Sequence, residues 1–403
     1  MQKILQINVV VNSGSTGRIA EEIGKLAIAK GWQNYIAYGR NERPSQSELI
    51  RIGTDWDMKI HGLQTRLFDR HGLGSINATK QFVRKIEQIN PDIIHLHNIH
   101  GYYLNYPILF EYLSSSNIPV VWTLHDCWPI TGHCVYFDFI GCEKWKTQCY
   151  ACPQKSTYPA NYFQDRSNLN YLLKKELFSS LEKLTLVPVS EWLAKIMRDS
   201  FLKKKSIKVI HNGIDTDSFR PIPEDTIRNK YKLADKFVIL GVASIWSPRK
   251  GLDDFIDLYK RLDSSYQIIL VGLSKKQIKT LPSAIIGIER TESVNELAEL
   301  YSESDVFLNP TYEDNFPTTN LESMACGTPV ITYRTGGSPE SINEDTGLII
   351  EKGNIEGLIS AIEKIKENGK TFYSKACVNR AKQLYKNENK YKEYLDLYTQ
   401  LLK

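Results

Sequence analysis

The stretch Asp305–Glu340, DVFLNPTYEDNFPTTNLESMACGTPVITYRTGGSPE, decides the fold of this chain. It opens on a short apolar run, which predicts a buried strand. After a polar loop, Pro317 suits the first turn of a helix over Thr318–Cys326, and Gly327 stands where a glycine commonly ends one. Pro329–Tyr333 predicts a second strand, followed by a turn that feeds another helix. Strand, loop, helix and strand in this order form the unit of a parallel α/β sheet.

The junction between the loop and the helix carries the chemistry. Amide N–H groups in the first turn of a helix have no partner within it, so Phe316–Thr319 could hold a phosphate. Asp314 and Glu322 are carboxylates eight positions apart that flank this turn. Carboxylates accept charge-assisted hydrogen bonds, which suits them to sugar hydroxyls. In a plainer reading Asp314 is a charge at a helix N-terminus and Glu322 belongs to a solvated helix face.

Length and composition predict an ordinary globular protein of two domains. The chain has 403 residues, of which 42% are hydrophobic and 24% charged, and it is long for a single core. No run of 18 apolar residues occurs and the first residues lack the apolar core of a signal peptide, so we expect a cytoplasmic protein. The net charge of +5 is mild and accompanies no nucleic-acid-binding motif, so nucleic acid is not an expected partner.

A glycine-bearing segment follows the first predicted strand, Ile4–Val11. The segment Asn12–Arg18 contains Gly14 and Gly17 and predicts a turn before a helix that runs to Ala29. Glycine lets a ligand approach the backbone closely, although the spacing is neither that of a dinucleotide-binding loop nor that of a P-loop. A tight turn without a ligand is the alternative.

Two predicted strands of the first half carry histidines at or near their ends. One contains His95 and His97, which share a face by strand alternation, a spacing that could serve a metal although no third ligand is evident. We expect packing or hydrogen bonding for His95, whereas His97 lies nearer the carboxyl end of the strand, where it could line a ligand cleft. The other strand, Val120–Leu124, ends in His125 and Asp126. Ligands bind beyond the carboxyl ends of parallel strands, where an imidazole can bond a sugar hydroxyl and a nearby carboxylate can fix its tautomer. A purely structural His–Asp turn is the alternative.

Cysteines cluster in an insertion over residues 127–153. A CxxC pair and two upstream thiols are candidate ligands of a structural zinc ion: Cys134, Cys142, Cys149 and Cys152. Disulfides are not expected in a reducing cytoplasm. The spacing is wider than that of ordinary zinc ribbons, so thiols without metal are the alternative, with His133 and Cys127 as spare ligands.

Residues Tyr158–Leu186 are predicted to be mainly helical and Val187–Ser190 to end a strand, and a basic segment follows. Lys195, Arg198 and the lysines at 203–205 alternate with apolar residues. Such a run is either a solvated helix face or a surface for peripheral contact with an anionic membrane.

The boundary between the domains is predicted at a turn. Asn212-Gly213-Ile214-Asp215 carries a strong turn signal, so we predict domains over 1–215 and 216–403. In the second domain Arg249 and Lys250 stand at a strand-to-helix turn. Basic residues there suit a pyrophosphate leaving group, whose charge must be neutralised.

In combination these motifs resemble the family 4 retaining glycosyltransferases of GT-B fold. The resemblance rests on an acidic residue, seven intervening residues and a glutamate before Gly-x-Pro-Val-Ile, and on Asn212-Gly213 and Lys250-Gly251. The family usually has Glu-x-Phe-Gly where this chain has Asp314-Asn315-Phe316-Pro317, and Glu313 could substitute for Asp314. The family also has an arginine soon after the first strand of the second domain. That arginine is absent here, and Arg249 would replace it.

The resemblance implies an α/β GT-B fold. Two Rossmann-like domains have parallel sheets that face a central cleft, and the C-terminal helix crosses back to the first domain. It implies that the first domain, 1–215, binds the acceptor and that the second, 216–403, binds the nucleotide-sugar.

The resemblance also implies roles for single residues. The residues implied to be catalytic are His125, Asp126, Arg249, Lys250 and Asp314. The residues implied to bind the donor are Gly14, Gly17, Asn212, Glu313, Asn315, Phe316, Pro317, Thr318, Thr319 and Glu322.

The implied reaction transfers a hexose from a UDP- or GDP-sugar to a glycan or polyprenyl-linked acceptor, with retention of configuration and without a divalent metal. It suits capsule, exopolysaccharide or lipopolysaccharide assembly at the inner face of the plasma membrane. The alternatives are a sugar phosphorylase or epimerase on the same fold, or a non-catalytic partner that binds nucleotide-sugar or glycan.

Overall fold

A computed structural model describes residues 1–403 as two α/β units. The first unit comprises Met1–His211 and Lys390–Lys403, and the second comprises Asn212–Asn389. Most of the last helix therefore belongs to the first unit, where Tyr394 and Tyr398 join the buried core. The predicted return of the C-terminal helix to the first domain is confirmed.

The first unit is a seven-stranded parallel sheet in the order β3-β2-β1-β4-β5-β6-β7. Its strands are β1 Lys3–Ile7, β2 Gln33–Tyr38, β3 Glu48–Arg51, β4 Ile93–Leu96, β5 Val120–Leu124, β6 Leu184–Pro188 and β7 Ser206–Ile207. Its helices are α1 Gly14–Ala29, α2 Asp55–Phe68, α3 Ile76–Ile89, α4 Tyr106–Ser116, α5 Ser167–Ser180 and α6 Glu191–Asp199. The central strands are buried throughout, as expected of a parallel sheet with helices on both faces.

The second unit is a six-stranded parallel sheet in the order β10-β9-β8-β11-β12-β13. Its strands are β8 Phe237–Val242, β9 Tyr266–Val271, β10 Ile286–Ile288, β11 Val306–Asn309, β12 Val330–Tyr333 and β13 Gly347–Ile350. Its helices are α7 Thr226–Tyr231, α8 Leu252–Arg261, α9 Lys275–Thr280, α10 Val294–Glu303, α11 Thr318–Ala325, α12 Ile355–Asn368 and α13 Lys370–Tyr385, before α14 Asn387–Leu401. Gly327, with φ +80°, ends α11 as predicted.

Each sheet has a switch point, where the strand order reverses. It lies between β1 and β4 in the first unit and between β8 and β11 in the second. Loops that leave neighbouring strands on opposite sides of the sheet open a crevice there, and ligands of doubly wound folds bind in it. The loops after these four strands are therefore where a functional site is expected.

Three sequence predictions of secondary structure were wrong in extent. After Gly337 the chain forms only a 3₁₀ turn, Ser338–Ser341, before β13. Residues 158–166 are irregular rather than helical, because Asn161 bonds its own neighbours Phe163 and Gln164 in a local turn. The first strand ends at Ile7 and not at Val11.

The division between the units falls at His211, four residues before the predicted boundary. Ile214 exchanges backbone hydrogen bonds with the chain that follows α13: its N–H donates to Tyr385 and its carbonyl accepts from Asn387. These bonds tie the predicted turn into the second unit. None of the helices combines the length and the hydropathy that crossing a membrane requires.

Candidate active site

The switch point of the second unit joins the two predicted basic residues to the loop after β11. Lys250 Nζ lies 2.5 Å from Asp314 Oδ2. The backbone carbonyl of Arg249 accepts from the Tyr312 N–H at 2.7 Å. The Arg249 guanidinium donates to the carbonyl of Glu313 at 3.1 Å. The structure thus brings together Arg249, Lys250 and Asp314, three of the residues implied to be catalytic, and their roles stay predictions.

Two glycines make this close approach possible. Gly251 has φ +73°, and a Cβ there would lie 2.2 Å from the carbonyl oxygen of Pro310. A Cβ on Gly336 would lie 1.7 Å from the carbonyl oxygen of Asp314. Any side chain at either position would therefore push the loop that carries Asp314 away from its neighbours.

The loop that carries Asp314 leads directly into α11. Pro317 is the N-cap of α11, with extended backbone and no side-chain cap, and no acidic residue lies in the first turn. The N–H groups of Thr318 and Thr319 have no acceptor within the helix, and the helix dipole adds positive potential there. These N–H groups are available to an anion, and phosphate binding there stays a prediction.

Glu322 is held in a defined position on α11. It is 8% exposed, and its Oε2 accepts a hydrogen bond of 3.1 Å from the hydroxyl of Tyr301, on α10. Burial and the nearby Glu322 carboxylate raise the pKa of Tyr301, so this hydroxyl stays a donor. The plainer reading of Glu322 as part of a solvated helix face does not describe its place in the structure.

The residues next to Asp314 in the motif are buried. Glu313, Asn315 and Phe316 are each 3% exposed or less, whereas the Asp314 side chain is 17% exposed. The amide of Asn212 donates to the carbonyl of Phe316 at 3.3 Å and so supports this loop. Asp314, rather than Glu313, is the acidic side chain that meets Lys250.

At the switch point of the first unit, helix α1 begins earlier than predicted. It starts at Gly14, so Gly14, Gly17 and Arg18 belong to its first turns and not to a loop. Gly14 has φ +61°. A Cβ on Gly17 would lie 3.0 Å from Val10 Cγ2 and 3.1 Å from the N atom of Asn12. The role of Gly17 visible here is close packing of the helix start on the preceding loop.

A row of hydrogen bonds runs from β1 to β4 and β5 and fixes the imidazoles. The Gln6 amide nitrogen donates to the carbonyl of Ala20 at 2.8 Å, so its Oε1 is the acceptor that faces His97 Nε2 at 3.0 Å. His97 Nε2 therefore carries the proton, and its Nδ1 accepts from His125 Nε2 at 3.3 Å. This network assigns His125 the tautomer protonated at Nε2, with Nδ1 as an acceptor.

Both rings of this pair are neutral at physiological pH. Burial lowers the pKa of His125 to about 4, with His100 adding to this and Asp126 opposing it. Burial also holds the pKa of His97 well below its usual range. A neutral imidazole at the end of β5 can accept a hydroxyl proton in a hydrogen bond, which an imidazolium cannot.

The carboxylate of Asp126 serves a different histidine from the one predicted. Its Oδ2 lies 2.8 Å from His100 Nε2, and its Oδ1 accepts from the Trp128 N–H at 2.9 Å. The expectation that Asp126 fixes the tautomer of His125 is therefore wrong, because His97 and Gln6 do so. Asp126 orients His100, whose Nδ1 faces the Tyr158 hydroxyl at 3.2 Å.

His95 has a structural place, as expected. Its Nε2 lies 2.7 Å from Thr123 Oγ1, and its Nδ1 lies 2.6 Å from the hydroxyl of Tyr398 in the C-terminal helix. Both ring nitrogens are thus used inside the core of the first unit.

The four predicted zinc ligands meet at one cavity of about 20 Å³. The side chains that share this cavity are His133, Cys134, Cys142, Cys149 and Cys152. No three His, Cys, Asp or Glu side chains of the chain are already placed as the ligands of a metal ion. The convergence of the thiols is observed, and zinc stays a prediction.

The basic segment after β6 lacks the apolar surface that would insert into a membrane. Ile196, Met197 and Leu202 are buried in the core of the first unit. The exposed groups are charged, and the acidic Glu191 and Asp199 stand among the basic Lys195 and Arg198.

The residues that sequence reasoning missed are those that hold the predicted ones. Gln6 is a polar side chain inside an apolar strand, which was the available signal. His100 follows the predicted strand end by a few positions. Tyr301 on α10 gave no local signal, because its link to Glu322 exists only in three dimensions.

Comparison with known proteins decides the family. The model for Glycosyltransferase Family 4 matches residues 16–218, just over half of the chain, and the model for Glycosyl transferases group 1 matches residues 223–389. The chain is a family 4 glycosyltransferase. The predicted family is confirmed.

Relatives of this glycosyltransferase are distant in sequence. It is 22% identical to WcaC of Escherichia coli, which is named for colanic acid biosynthesis, over 99% of this chain and 100% of that protein. It is 29% identical to the D-inositol 3-phosphate glycosyltransferase of Mycobacteroides abscessus over 43% of this chain and 42% of that protein.

Solved structures similar to the glycosyltransferase confirm the predicted GT-B fold. Sucrose-phosphate synthase of Thermosynechococcus elongatus has a TM-score of 0.74 at 19% identity and covers 100% of this chain and 99% of its own. Anabaena HepE in complex with UDP has a TM-score of 0.70 at 15% identity and covers 99% of this chain and 100% of its own. At these identities the likeness concerns the fold alone.

Proposed function

We propose that this glycosyltransferase moves a hexosyl group from a UDP- or GDP-type nucleotide-sugar to a glycan or lipid-linked acceptor, with retention of configuration. The observation that carries the proposal is the second-unit site, where Arg249 and Lys250 meet the loop that carries Asp314 and leads into α11, on which Glu322 is held by Tyr301. HepE was solved with UDP and with UDP-glucose, which supports a nucleotide-sugar donor. WcaC and CapM of Staphylococcus aureus, named for colanic acid and capsular polysaccharide, support a role in surface polysaccharide synthesis.

The pyrophosphate of the donor is assigned to the cationic side of the site. An ammonium has three N–H donors, so Lys250 can keep its bond to Asp314 and still donate to phosphate oxygens. Arg249 and the first-turn amides of α11 supply further donors. When the bond from the sugar to the phosphate breaks, these groups stabilise the charge of the leaving nucleotide in place of a divalent metal.

The hydroxyls of the donor are assigned to the carboxylates. Asp314 offers its second oxygen to the sugar, and Glu322 accepts from the ribose while Tyr301 holds it. In the first unit, the neutral imidazole of His125 is assigned a hydrogen bond to a sugar hydroxyl. Charge-assisted bonds from hydroxyls to carboxylates give orientation as well as affinity, so these residues select the donor.

The acceptor is assigned to a membrane lipid carrier. Relatives of the chain include an alpha-galactosylglucosyldiacylglycerol synthase and a phosphatidylinositol monomannoside mannosyltransferase, whose names refer to glycolipids. On α2, Trp56, Ile60 and Leu63 are 71%, 54% and 55% exposed on one helical stripe. Lys59 and Arg66 stand exposed on the same helix. Exposed apolar residues flanked by cations suit an anionic membrane surface, here the inner face of the plasma membrane.

Vesicle sedimentation tests this surface. We expect the protein to sediment with vesicles that contain anionic lipid and less with neutral ones, and Trp56→Ser with Ile60→Ser to release it. Lys195→Glu with Arg198→Glu on α6 is the matched comparison. If only the double variant on α6 failed to sediment with the vesicles, the membrane contact would belong to α6 and not to α2. Equal sedimentation of every variant would contradict membrane contact through either helix.

Donor consumption tests the function itself. Purified protein is incubated with single UDP- and GDP-hexoses, a bacterial lipid extract and EDTA, and nucleotide release and the anomer of the product are recorded. We expect one nucleotide class to be consumed only with acceptor, with retention, unchanged by EDTA and abolished by Glu322→Ala. Donor consumption that needs inorganic phosphate would indicate a phosphorylase. Conversion of the donor sugar without an acceptor would indicate an epimerase, and donor binding without turnover would indicate a non-catalytic partner.

A further inference from the structure

A long irregular segment of the first unit contains the cysteine cavity. Between the 3₁₀ turn Trp128–Ile130 and α5, the only regular element is the 3₁₀ turn Lys144–Lys146. Irregular segments of such length within a compact unit are uncommon, because their backbone cannot hold itself in place by a hydrogen-bond ladder. The segment therefore needs another source of order.

His133 gives the cavity a polar group that no protein atom satisfies. Its Nδ1 lies 2.6 Å from Asp69 Oδ1, and the two side chains are 0% and 1% exposed. Because a carboxylate only accepts, Nδ1 carries the proton and Nε2 presents a lone pair. His133 Nε2 is buried, has no hydrogen-bond partner, and belongs to the residue set that lines the cavity. A carboxylate that holds the far nitrogen of an imidazole is the usual support of a metal-ligating histidine.

We propose that this cavity binds a structural zinc ion through Nε2 of His133 and the thiolates of Cys142, Cys149 and Cys152. Three sulfurs and one imidazole nitrogen make a closed tetrahedral zinc site. Cys134, which is buried while the other three cysteines are partly exposed, is not a ligand in this proposal and is assigned instead as a thiol donor to the ligating sulfur of Cys152, with which it shares the cavity. Binding releases three thiol protons to solvent and oxidises nothing.

The thiols must turn to complete the site. No three of these side chains already have the spacing of metal ligands. A volume of about 20 Å³ lies between them, which is enough for one water-sized sphere and so for an ion of smaller radius. Rotation of the cysteine side chains toward this volume shortens the distances without moving secondary structure, since all of them lie in the irregular segment.

A buried lysine carries a charge opposite to that of the proposed zinc complex. Lys174, on α5, is 1% exposed and donates to the carbonyls of Trp128 and Thr131 at 2.7 and 3.0 Å. It forms no ion pair with a carboxylate in the structure, and its ammonium lies 3.4 Å from the centroid of the Trp128 ring. A buried cation is costly unless compensated. Zinc with three thiolates and one histidine carries one negative charge, which would offset that of Lys174.

Metal content is the first test, and it is independent of the donor proposal because it reads no activity. Protein from zinc-supplemented medium is freed of loosely bound metal and analysed for zinc and for thiols. We expect one zinc per chain, and a lower melting temperature after removal by a strong chelator, because an ion that binds only the folded state stabilises it. Less than 0.1 zinc per folded chain after zinc addition would overturn the proposal.

Single variants decide the ligand set. Cys149→Ser, Cys152→Ser and Cys142→Ser should each abolish stoichiometric zinc, while Cys134→Ser should keep it, since a serine hydroxyl can still donate. Asp69→Asn should lower the affinity for zinc 10- to 100-fold. Cys377→Ser, in the second unit, is the matched control and should leave the metal unchanged.

The cobalt-substituted protein gives a readout that survives poor folding of a variant. The visible and charge-transfer bands of Co²⁺ distinguish three sulfur ligands from four. We expect a three-sulfur spectrum, and its loss in His133→Gln. A four-sulfur spectrum that persists in His133→Gln and disappears in Cys134→Ser would overturn the assignment of His133.

Discussion

The switch point of the second unit is built from charged groups, whereas that of the first unit is built from neutral ones. In the second, Lys250 and Asp314 pair with side chains 19% and 17% exposed. In the first, His97 is buried and His125 lies beside it, both with lowered pKa values. Burial removes a side chain from water and so disfavours its charged form. The degree of burial therefore decides whether the groups at each site are charged or neutral. The charged site suits a pyrophosphate, and the neutral site suits sugar hydroxyls.

The largest effect is expected at the cation of the charged site. Lys250→Met keeps the length of the side chain and removes its charge, so kcat should fall by about 10²- to 10³-fold, as for loss of one donor to a developing anion. The measurement is steady-state donor consumption. Lys260→Met on α8, whose ammonium pairs with the exposed Asp257, is the control and should change kcat less than twofold. A Lys250→Met enzyme with normal kcat would remove the lysine from the reaction.

A smaller effect is expected at its partner. Asp314→Asn loses a charge-assisted bond to the donor sugar, and kcat/KM should fall by about 10- to 100-fold. Asp314→Glu restores the residue that the family usually carries and should recover most of the activity. If Asp314→Asn stayed active and Asp314→Glu did not, the shape of the side chain and not its charge would matter at this position.

The smallest effect is expected in the neutral site, and its signature is pH dependence. Gln6→Leu removes the acceptor that fixes the tautomers of His97 and His125, and we expect roughly a 10-fold lower kcat/KM. Gln6→Glu keeps an acceptor but adds a negative charge, which favours protonated His97. The fall of kcat/KM on the acid side of its pH profile should therefore begin at higher pH than in the wild type. In the wild type, titration of His125 should leave kcat/KM unchanged from pH 6 to 8. An identical pH profile in all three proteins would show that Gln6 only packs.

The charged site could be predicted from the sequence because its signals are local. The strand, the loop, the start of α11 and the glycine at its end follow one another within Asp305–Glu340, and each has its own residue preference. Lys250-Gly251 likewise follows soon after its own strand, β8. Both loops then come together because the sheet places β8 beside β11.

The neutral site could be predicted only in part, because its supporting contacts join distant positions. Gln6 and His97 are 91 positions apart, and no pattern in either strand names the other. The carboxylate of Asp126 was assigned to its sequence neighbour His125, whereas the fold gives it to His100. The same limit applied to Tyr301, which holds Glu322, and to Asp69, which holds His133.

The measurement that tests the central assignment most directly is a thermal-shift screen of the wild type and of Glu322→Ala against UDP-, GDP- and ADP-sugars, without added metal. A ligand that binds only the folded protein raises its melting temperature. We predict that a UDP- or GDP-sugar raises the melting temperature of the wild type, that Glu322→Ala loses this shift, and that Gln6→Leu keeps most of it. A shift of equal size in Glu322→Ala, or one lost in Gln6→Leu alone, would contradict the assignment of the nucleotide to the charged site of the second unit.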